Sequence, residues 1–202
     1  MGNKININSD FTSFKQAFLE ENSKHNLISK NDEKFLYEKH IYDSLGIKLF
    51  FEKYGFPTGK VLDIGCGGGF PCVPVAIEFP QLNIVGIDSI RKKINSVGEI
   101  KNKLGLQNLE LICDRVENIK GQKFDLIISR AVADMSKISS YAIPLLNKGG
   151  YFVAYKSKKA LTELEVAKPI LKKLRAEVAD ILEYTLPLDE VYERNLIVVK
   201  KL

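Results

Sequence analysis

Tryptophan is absent from this 202-residue chain, histidine occurs twice and cysteine three times. These shortages exclude chemistry. Cys66, Cys72 and Cys113 make an odd set with none at the spacing of a zinc ribbon or dithiol motif, and His25 and His40 lie well upstream. No metal and no disulfide framework is expected. No apolar run reaches the roughly 20 residues that a membrane-spanning helix needs. Residues 1–10 are polar and lack the basic, apolar and small-residue order of a secretion signal. The expectation is a cytoplasmic protein without a membrane partner.

What is present is ordinary for one globular unit: 45% hydrophobic and 27% charged residues. The net charge of +5 suits an anionic partner but decides little alone. From residue 10 to about 54, apolar residues such as Phe11, Phe14, Phe18, Leu36, Leu45 and Leu49 recur three or four apart, interrupted by a polar stretch at 24–32. That period predicts helices. Gly55-Phe56-Pro57-Thr58-Gly59 ends them. It only imitates a phosphate loop, because it is a residue short, Val61 replaces the Ser or Thr, and it precedes its strand.

Beyond residue 59 the pattern changes. Short apolar runs at 60–64, 83–87, 109–113, 124–129 and 150–155 alternate with helical segments at 71–79, 90–104, 136–146 and roughly 161–181. Alternation of this kind predicts a parallel sheet covered on both faces. Residues 195–199 close the chain as an antiparallel edge or near-edge strand, and 183–186 would supply the sixth of seven strands. The expected class is α/β and Rossmann-like, with a seven-stranded, mostly parallel sheet. Residues 1–58 would form a small N-terminal helical extension packed on a core of residues 59–202.

Asp63-Ile64-Gly65-Cys66-Gly67-Gly68-Gly69 follows the first of these strands and precedes a helix opened by Pro71. Glycines let the main chain approach a ligand, and a helix N-terminus presents free amides. A dinucleotide loop, G-x-G-x-x-G, would need its last glycine where Phe70 stands. The acidic-x-G-x-G-x-G pattern is instead the signature of methyltransferases that use S-adenosylmethionine, with Gly65 and Gly67 against the cofactor. Asp88 ends the next strand, where a carboxylate accepts ribose hydroxyls, a placement shared with NAD enzymes.

Further motifs in chain order are Asn26-Leu27-Ile28-Ser29, His40-Ile41-Tyr42-Asp43-Ser44-Leu45, Gly69-Phe70-Pro71, Arg115-Val116-Glu117, Ser129-Arg130-Ala131, Tyr155-Lys156 and Arg194-Asn195-Leu196. Together they resemble the bacterial small-subunit ribosomal RNA guanine-N7 methyltransferases, the RsmG family, formerly glucose-inhibited division protein B. The resemblance covers roughly residues 20–202. It implies a class I fold, S-adenosylmethionine as cofactor, and 16S ribosomal RNA as partner, alone or within the small subunit. It also implies cofactor contacts at Gly65, Phe70, Val116, Glu117 and Arg130, and functional basic residues at Arg115, Arg130, Lys156 and Arg194. Gly68, Cys72 and Ser157 depart from the residues usual in that family.

Read from position alone, Arg115-Val116-Glu117 sits past an inner strand end as an adenine wall, with Glu117 or Asp114 facing the exocyclic amine. Arg130 ends a central strand, where open α/β sheets hold ligands, and it also fits a capping or surface arginine. Lys156 and Arg194 fit RNA contacts and plain surface charges equally well. His40 and Asp43 share a helix face, either as an acid–base pair or, the preferred reading, as a structural pair docking the N-terminal helices. Arg91, Lys92, Lys93, Lys156, Lys158, Lys159, Lys172, Lys173 and Arg175 are candidates for a basic RNA footprint.

The missing motifs narrow the reaction. No Pro-Cys and no Asp/Asn-Pro-Pro-aromatic follows the fourth strand, as pyrimidine-C5 and exocyclic-amine methylation require; Ser129-Arg130-Ala131 stands there. Guanine N7 already carries a free lone pair and needs no general base, so Arg130 and Lys156 are expected to act by positioning. The expected protein is a monomeric 16S ribosomal RNA (guanine-N7) methyltransferase. A methyltransferase of a small molecule or protein, and a non-catalytic cofactor-binding regulator of cell division, are the competing readings.

Overall fold

The computed structural model describes residues 4–157 and 160–202. Lys158 and Lys159, two of the basic candidates, lie outside the described residues. Seven strands form one sheet: β1 Val61–Ile64, β2 Ile84–Asp88, β3 Leu109–Cys113, β4 Phe124–Arg130, β5 Leu146–Ser157, β6 Ala176–Leu186 and β7 Tyr192–Lys201, in the order β3-β2-β1-β4-β5-β7-β6. The pairs from β3 through to β5 are parallel, and β7 runs antiparallel to both β5 and β6. β7 is thus the near-edge strand expected at the end of the chain.

Apolar side chains point alternately to the two faces, as strand geometry requires. Leu126, Ile128, Val153, Leu196 and Val198 join one core, which holds the N-terminal aromatics Phe14, Phe18, Phe50 and Phe51. Ile127, Phe152, Ala154, Ile197 and Val199 join the other. The first face is covered by α4 (Cys72–Glu78) and α5 (Arg91–Leu104), and the second by α6 (Met135–Leu145) and α7 (Ala160–Lys173). Both faces being covered explains why β1 is buried along its whole length.

Ahead of the sheet come α1 (Thr12–His25), the single turn α2 (Lys30–Glu33), a π-helical stretch Leu36–Tyr42, a 3₁₀ turn Leu45–Ile47 and α3 (Lys48–Tyr54). Residues 24–32 do interrupt the helices: Asn26 adopts a left-handed conformation that ends α1, and Ser29 caps α2. α1 lies on the sheet core through its aromatics, Phe14 and Phe18 standing 5.8 and 5.0 Å from the ring of Phe70.

One boundary differs from expectation. The last helix was expected to run to about residue 181, but α7 stops at Lys173 and β6 begins at Ala176. Arg175 takes a positive φ of 55°, which ends the helix, and from Ala176 onward the chain pairs with β7, the carbonyl of Arg175 accepting from the amide of Leu202. Among the described residues no helix is long and apolar enough to cross a membrane.

Candidate functional site

A cavity of about 870 Å³ opens at the carboxyl ends of β1, β2 and β4, where ligands enter sheets of this type. Its floor is the glycine loop. The amides of Gly65 and Cys66 donate to the carbonyl of Ile87 at 2.8 and 3.1 Å, so the loop is pinned to β2. Gly65, Gly67 and Gly69 have φ of 72°, 52° and 93°. A Cβ at Gly65 would stand 2.5 Å from Val132, and one at Gly69 2.8 Å from Val73. At Gly67 the closest atom would be 3.8 Å away, so a side chain there would enter open space. Packing thus accounts for Gly65 and Gly69, while Gly67 faces the cavity.

Two carboxylates serve this loop. Asp88 accepts from the amides of Gly67 at 2.9 Å and Ile90 at 2.8 Å and lines the cavity. Asp63 is fully buried behind the loop; its Oδ2 accepts from the amide of Cys72 at 3.0 Å, and its Oδ1 has no partner among the described residues. Burial pushes its carboxyl up to about 7.

Val116 and Glu117 lie on a 3₁₀ turn and, with Arg115, line the same cavity. They follow β3, which is the sheet's outer edge and not an inner strand. The physical reason is the winding: the chain moves outward from β1 to β3 before crossing back to β4. Asp114 takes Asn118 Nδ2 and the amide of Arg115 on the same Oδ1, each at 2.7 Å, and both Asp114 and Glu117 are exposed and line the cavity.

The far end of the cavity is closed by the N-terminal helices through a network centred on Asp43, which is completely buried. Its carboxylate accepts from Arg130 Nη1 at 3.0 Å, Arg194 Nε and Nη2 at 3.1 Å each, and Tyr184 Oη at 2.7 Å. Arg130 also donates to the carbonyl of Lys39 at 3.1 Å and lies over the Phe70 ring at 5.2 Å. Its Nη2 stands 3.2 Å from His40 Nδ1. Burial and then the Arg130 charge hold His40 down at about 4, so the imidazole is neutral at physiological pH. His40 Nε2 is buried and has no partner among the described residues.

The candidate residues therefore divide. Gly65, Gly67, Phe70, Asp88, Arg115, Val116, Glu117, Arg130 and Arg194 all line one cavity. Lys156 is absent from its described lining; its ammonium donates to the carbonyl of Ala133 and to Glu163, both at 2.6 Å. Of the basic footprint, Lys93 reaches the cavity, whereas Lys172 and Arg175 border a separate groove with Leu202, at the opposite end of the sheet from the glycine loop. Tyr184, Lys39 and Tyr192 were missed. No local motif marks them, and only the pairing of β6 with β7 and the docking of the N-terminal helices bring them here.

A family profile described as rRNA small subunit methyltransferase G matches residues 7–195. The chain is 39% identical over 191 residues to the ribosomal RNA small subunit methyltransferase G of Oceanobacillus iheyensis, covering 92% of this chain and 79% of the relative. It is 35% identical to the protein of the same description in Listeria welshimeri, covering 95% and 81%. In fold it is similar to the N-methyltransferase NodS of Bradyrhizobium japonicum, solved with S-adenosyl-L-homocysteine, at a TM-score of 0.61 and 15% identity over 92% of this chain and 98% of that one.

Proposed function

The chain belongs to the rRNA small subunit methyltransferase G family, and we propose on that premise that it transfers a methyl group from S-adenosylmethionine to the N7 of a guanine in 16S ribosomal RNA. The observation that carries the reading is the family match over residues 7–195 together with the single cavity that gathers the glycine loop, Asp88 and Arg130.

The residues fit the cofactor. Gly67 leaves space free for a ligand, Asp88 lines the cavity beside it, and the cavity is within the roughly 300–1,000 Å³ of small-molecule sites. Each Asp88 oxygen takes one amide here and retains lone pairs for ribose hydroxyls. Gly65 and Gly67 would hold the methionine and ribose portion, Val116 and Glu117 the adenine. When bound, S-adenosylmethionine supplies a methyl group on a positively charged sulfur.

The chain's own part is to bind, orient and exclude water. N7 needs no proton removed, so no residue is assigned as general base. Arg130 is the positioning residue, its planar fork held by Asp43, Lys39 and His40. Lys156 acts more remotely, tying β5 to the segment at Ala133 that borders the cavity. Arg115 and Arg194 would meet the RNA backbone. Residues 1–58 and 59–202 work as extension and core of one unit, as a monomer in the cytoplasm, on RNA alone or on the assembled small subunit.

Mass mapping of 16S ribosomal RNA from a deletion strain tests this: one guanine is expected to lose a methyl group, regained when the gene is restored. RNA affinity of the purified protein is expected to fall steeply with salt while cofactor affinity changes far less. Unchanged ribosomal RNA in the deletion strain, or a flat salt response, would favour a small substrate.

A further inference from the structure

The aromatic rings of the cavity wall differ in how much surface they leave free. Phe70 is buried, its ring covered by Arg130, His40, Phe14 and Phe18. Tyr141 is half-buried, whereas Tyr192 is 45% exposed. Strand register fixes where Tyr192 stands. Ile64, at the end of β1, pairs with Ser129, Ser129 with Ala154, and Ala154 with Ile197. Tyr192 precedes Ile197 by five residues on a strand that runs the opposite way. At about 3.3 Å per residue it stands roughly 16 Å beyond the end of β1, at the mouth of the cavity. Alternation along β7 fixes its face. Leu196 and Val198 join the core under the N-terminal helices and Arg194 reaches Asp43, so Tyr192, two residues before Arg194, falls on the same side. Glu193 belongs to the other face. Lys39 Nζ lies 5.8 Å from the Tyr192 ring, but it sits closer to Phe35 at 4.6 Å and pairs with Asp32 at 3.3 Å. An aromatic ring thus stands exposed at the entrance, two residues from an arginine that lines the cavity.

We propose that Tyr192 is a stacking platform for a nucleobase next to the target guanine, with Arg194 meeting the phosphate between them. This rests on the ribosomal RNA reading. A base can reach the glycine-loop end only if it leaves its own stack, and its neighbour then loses a stacking partner. Unpaired bases of RNA are recognised by stacking on aromatic side chains, and Tyr192 offers the ring that the neighbour needs. The base on Tyr192 is not the reacting one, because the ring lies farther from the glycine loop than one nucleobase spans. Arg194 suits the phosphate. It spends Nε and Nη2 on Asp43, which holds its plane and leaves Nη1 free to donate among the described residues. Ring and guanidinium are two residues apart on one face, a separation of roughly 6.6 Å along the strand. A base and its adjoining phosphate can therefore be held together by one short stretch of β7.

The test uses unmethylated 16S ribosomal RNA from a deletion strain, free and within small subunits. With Tyr192→Ala the KM for RNA is expected to rise at least tenfold while kcat changes less than threefold, since the ring binds a neighbour of the reacting base. Tyr192→Phe, which keeps the ring, should stay within threefold of the wild type in both. Tyr192→Leu, which keeps only apolar bulk, should resemble the alanine variant. Because the chain has no tryptophan, Tyr192→Trp introduces a single fluorescent reporter. Its emission is expected to be quenched by bound single-stranded RNA spanning the target guanine, and to recover when the nucleotides on either side of that guanine are abasic. Unchanged emission with RNA bound, a KM within twofold of the wild type for Tyr192→Ala, or a leucine variant as good as phenylalanine would each overturn the proposal. A defect confined to assembled subunits would do so too, by assigning the ring to a ribosomal protein. A wild type that methylates neither form of the RNA would instead sink the ribosomal RNA reading itself.

Discussion

At the glycine-loop end of the cavity, Gly67 leaves space where a side chain would stand and Asp63 keeps a buried oxygen unpaired. At the end closed by the N-terminal helices, both oxygens of Asp43 are shared among Arg130, Arg194 and Tyr184. The first wall is made mainly of backbone and leaves ligand space at Gly67. The second is made of side-chain charge, with both oxygens of its central carboxylate satisfied within the folded chain. One is therefore tuned to binding, the other to stability and to holding Arg130 and His40 in place.

The largest expected effect tests the closed end. Asp43→Ala leaves the Arg130 and Arg194 charges without their carboxylate, and removing one partner of a buried ion pair costs about 3–5 kcal/mol. Urea unfolding is expected to show a loss of that size, and a loss below about 1 kcal/mol would erase the contrast between the two walls. Gly67→Ala should behave oppositely. Its left-handed conformation costs a side chain only about 1–2 kcal/mol, but the methyl group enters the ligand space. Calorimetry is expected to show S-adenosylmethionine binding weakened at least tenfold in a folded protein; unchanged affinity would remove the cofactor from this loop.

Arg130→Lys sharpens the comparison, because Arg130 belongs to the closed network yet faces the cavity. Lysine keeps the charge but cannot span Asp43, the Lys39 carbonyl and His40 together. Methylation is expected to fall at least tenfold, equivalent to about 1.4 kcal/mol in the transition state. The thermal melt should survive. A near-normal rate would reduce Arg130 to a point charge, and a lost melting transition would make it purely structural.

The smallest effects are in pH dependence, and they run in opposite directions at the two ends. Asp63, raised to about 7, binds its proton more tightly folded than unfolded. Its contribution to stability therefore falls as pH climbs from the ordinary carboxylate range toward 7. His40, held at about 4, charges first in the unfolded chain. Its contribution falls as pH drops from 6.5 toward 4. Melting curves of the ligand-free protein should show Asp63→Asn gaining on the wild type between pH 5 and pH 8, and His40→Gln gaining between pH 7 and pH 5. Parallel profiles for all three proteins would contradict both burials.

Much of the open end is legible locally. The spacing of Asp63, Gly65, Gly67 and Gly69, and the position of Asp88 one strand later, all lie within one strand–helix–strand unit. The closed end is not. Asp43 meets its partners Arg130, Tyr184 and Arg194 across sequence separations of 87, 141 and 151 residues. His40 and Asp43 can be seen to share a helix face, but nothing near them says which arginines arrive. The end of α7 was misread for a related reason. Leu174, Arg175, Ala176 and Glu177 continue a good helical composition, but Arg175 turns left-handed and the residues after it pair with β7, a partner that lies later in the chain.

By itself, then, the sequence determined the strand–helix alternation, the glycine loop with its two carboxylates, and the family, because these are recorded in local spacing and in motif order along one chain. Only the tertiary structure decided that Phe70 lies under the Arg130 guanidinium, that Lys156 is held away from the cavity, and that His40 keeps one donor unpaired. The physical reason is that hydrogen-bond satisfaction and desolvation depend on every group brought near an atom. In this protein most of those groups come from β4, β6 and β7, far along the chain from the helices they secure.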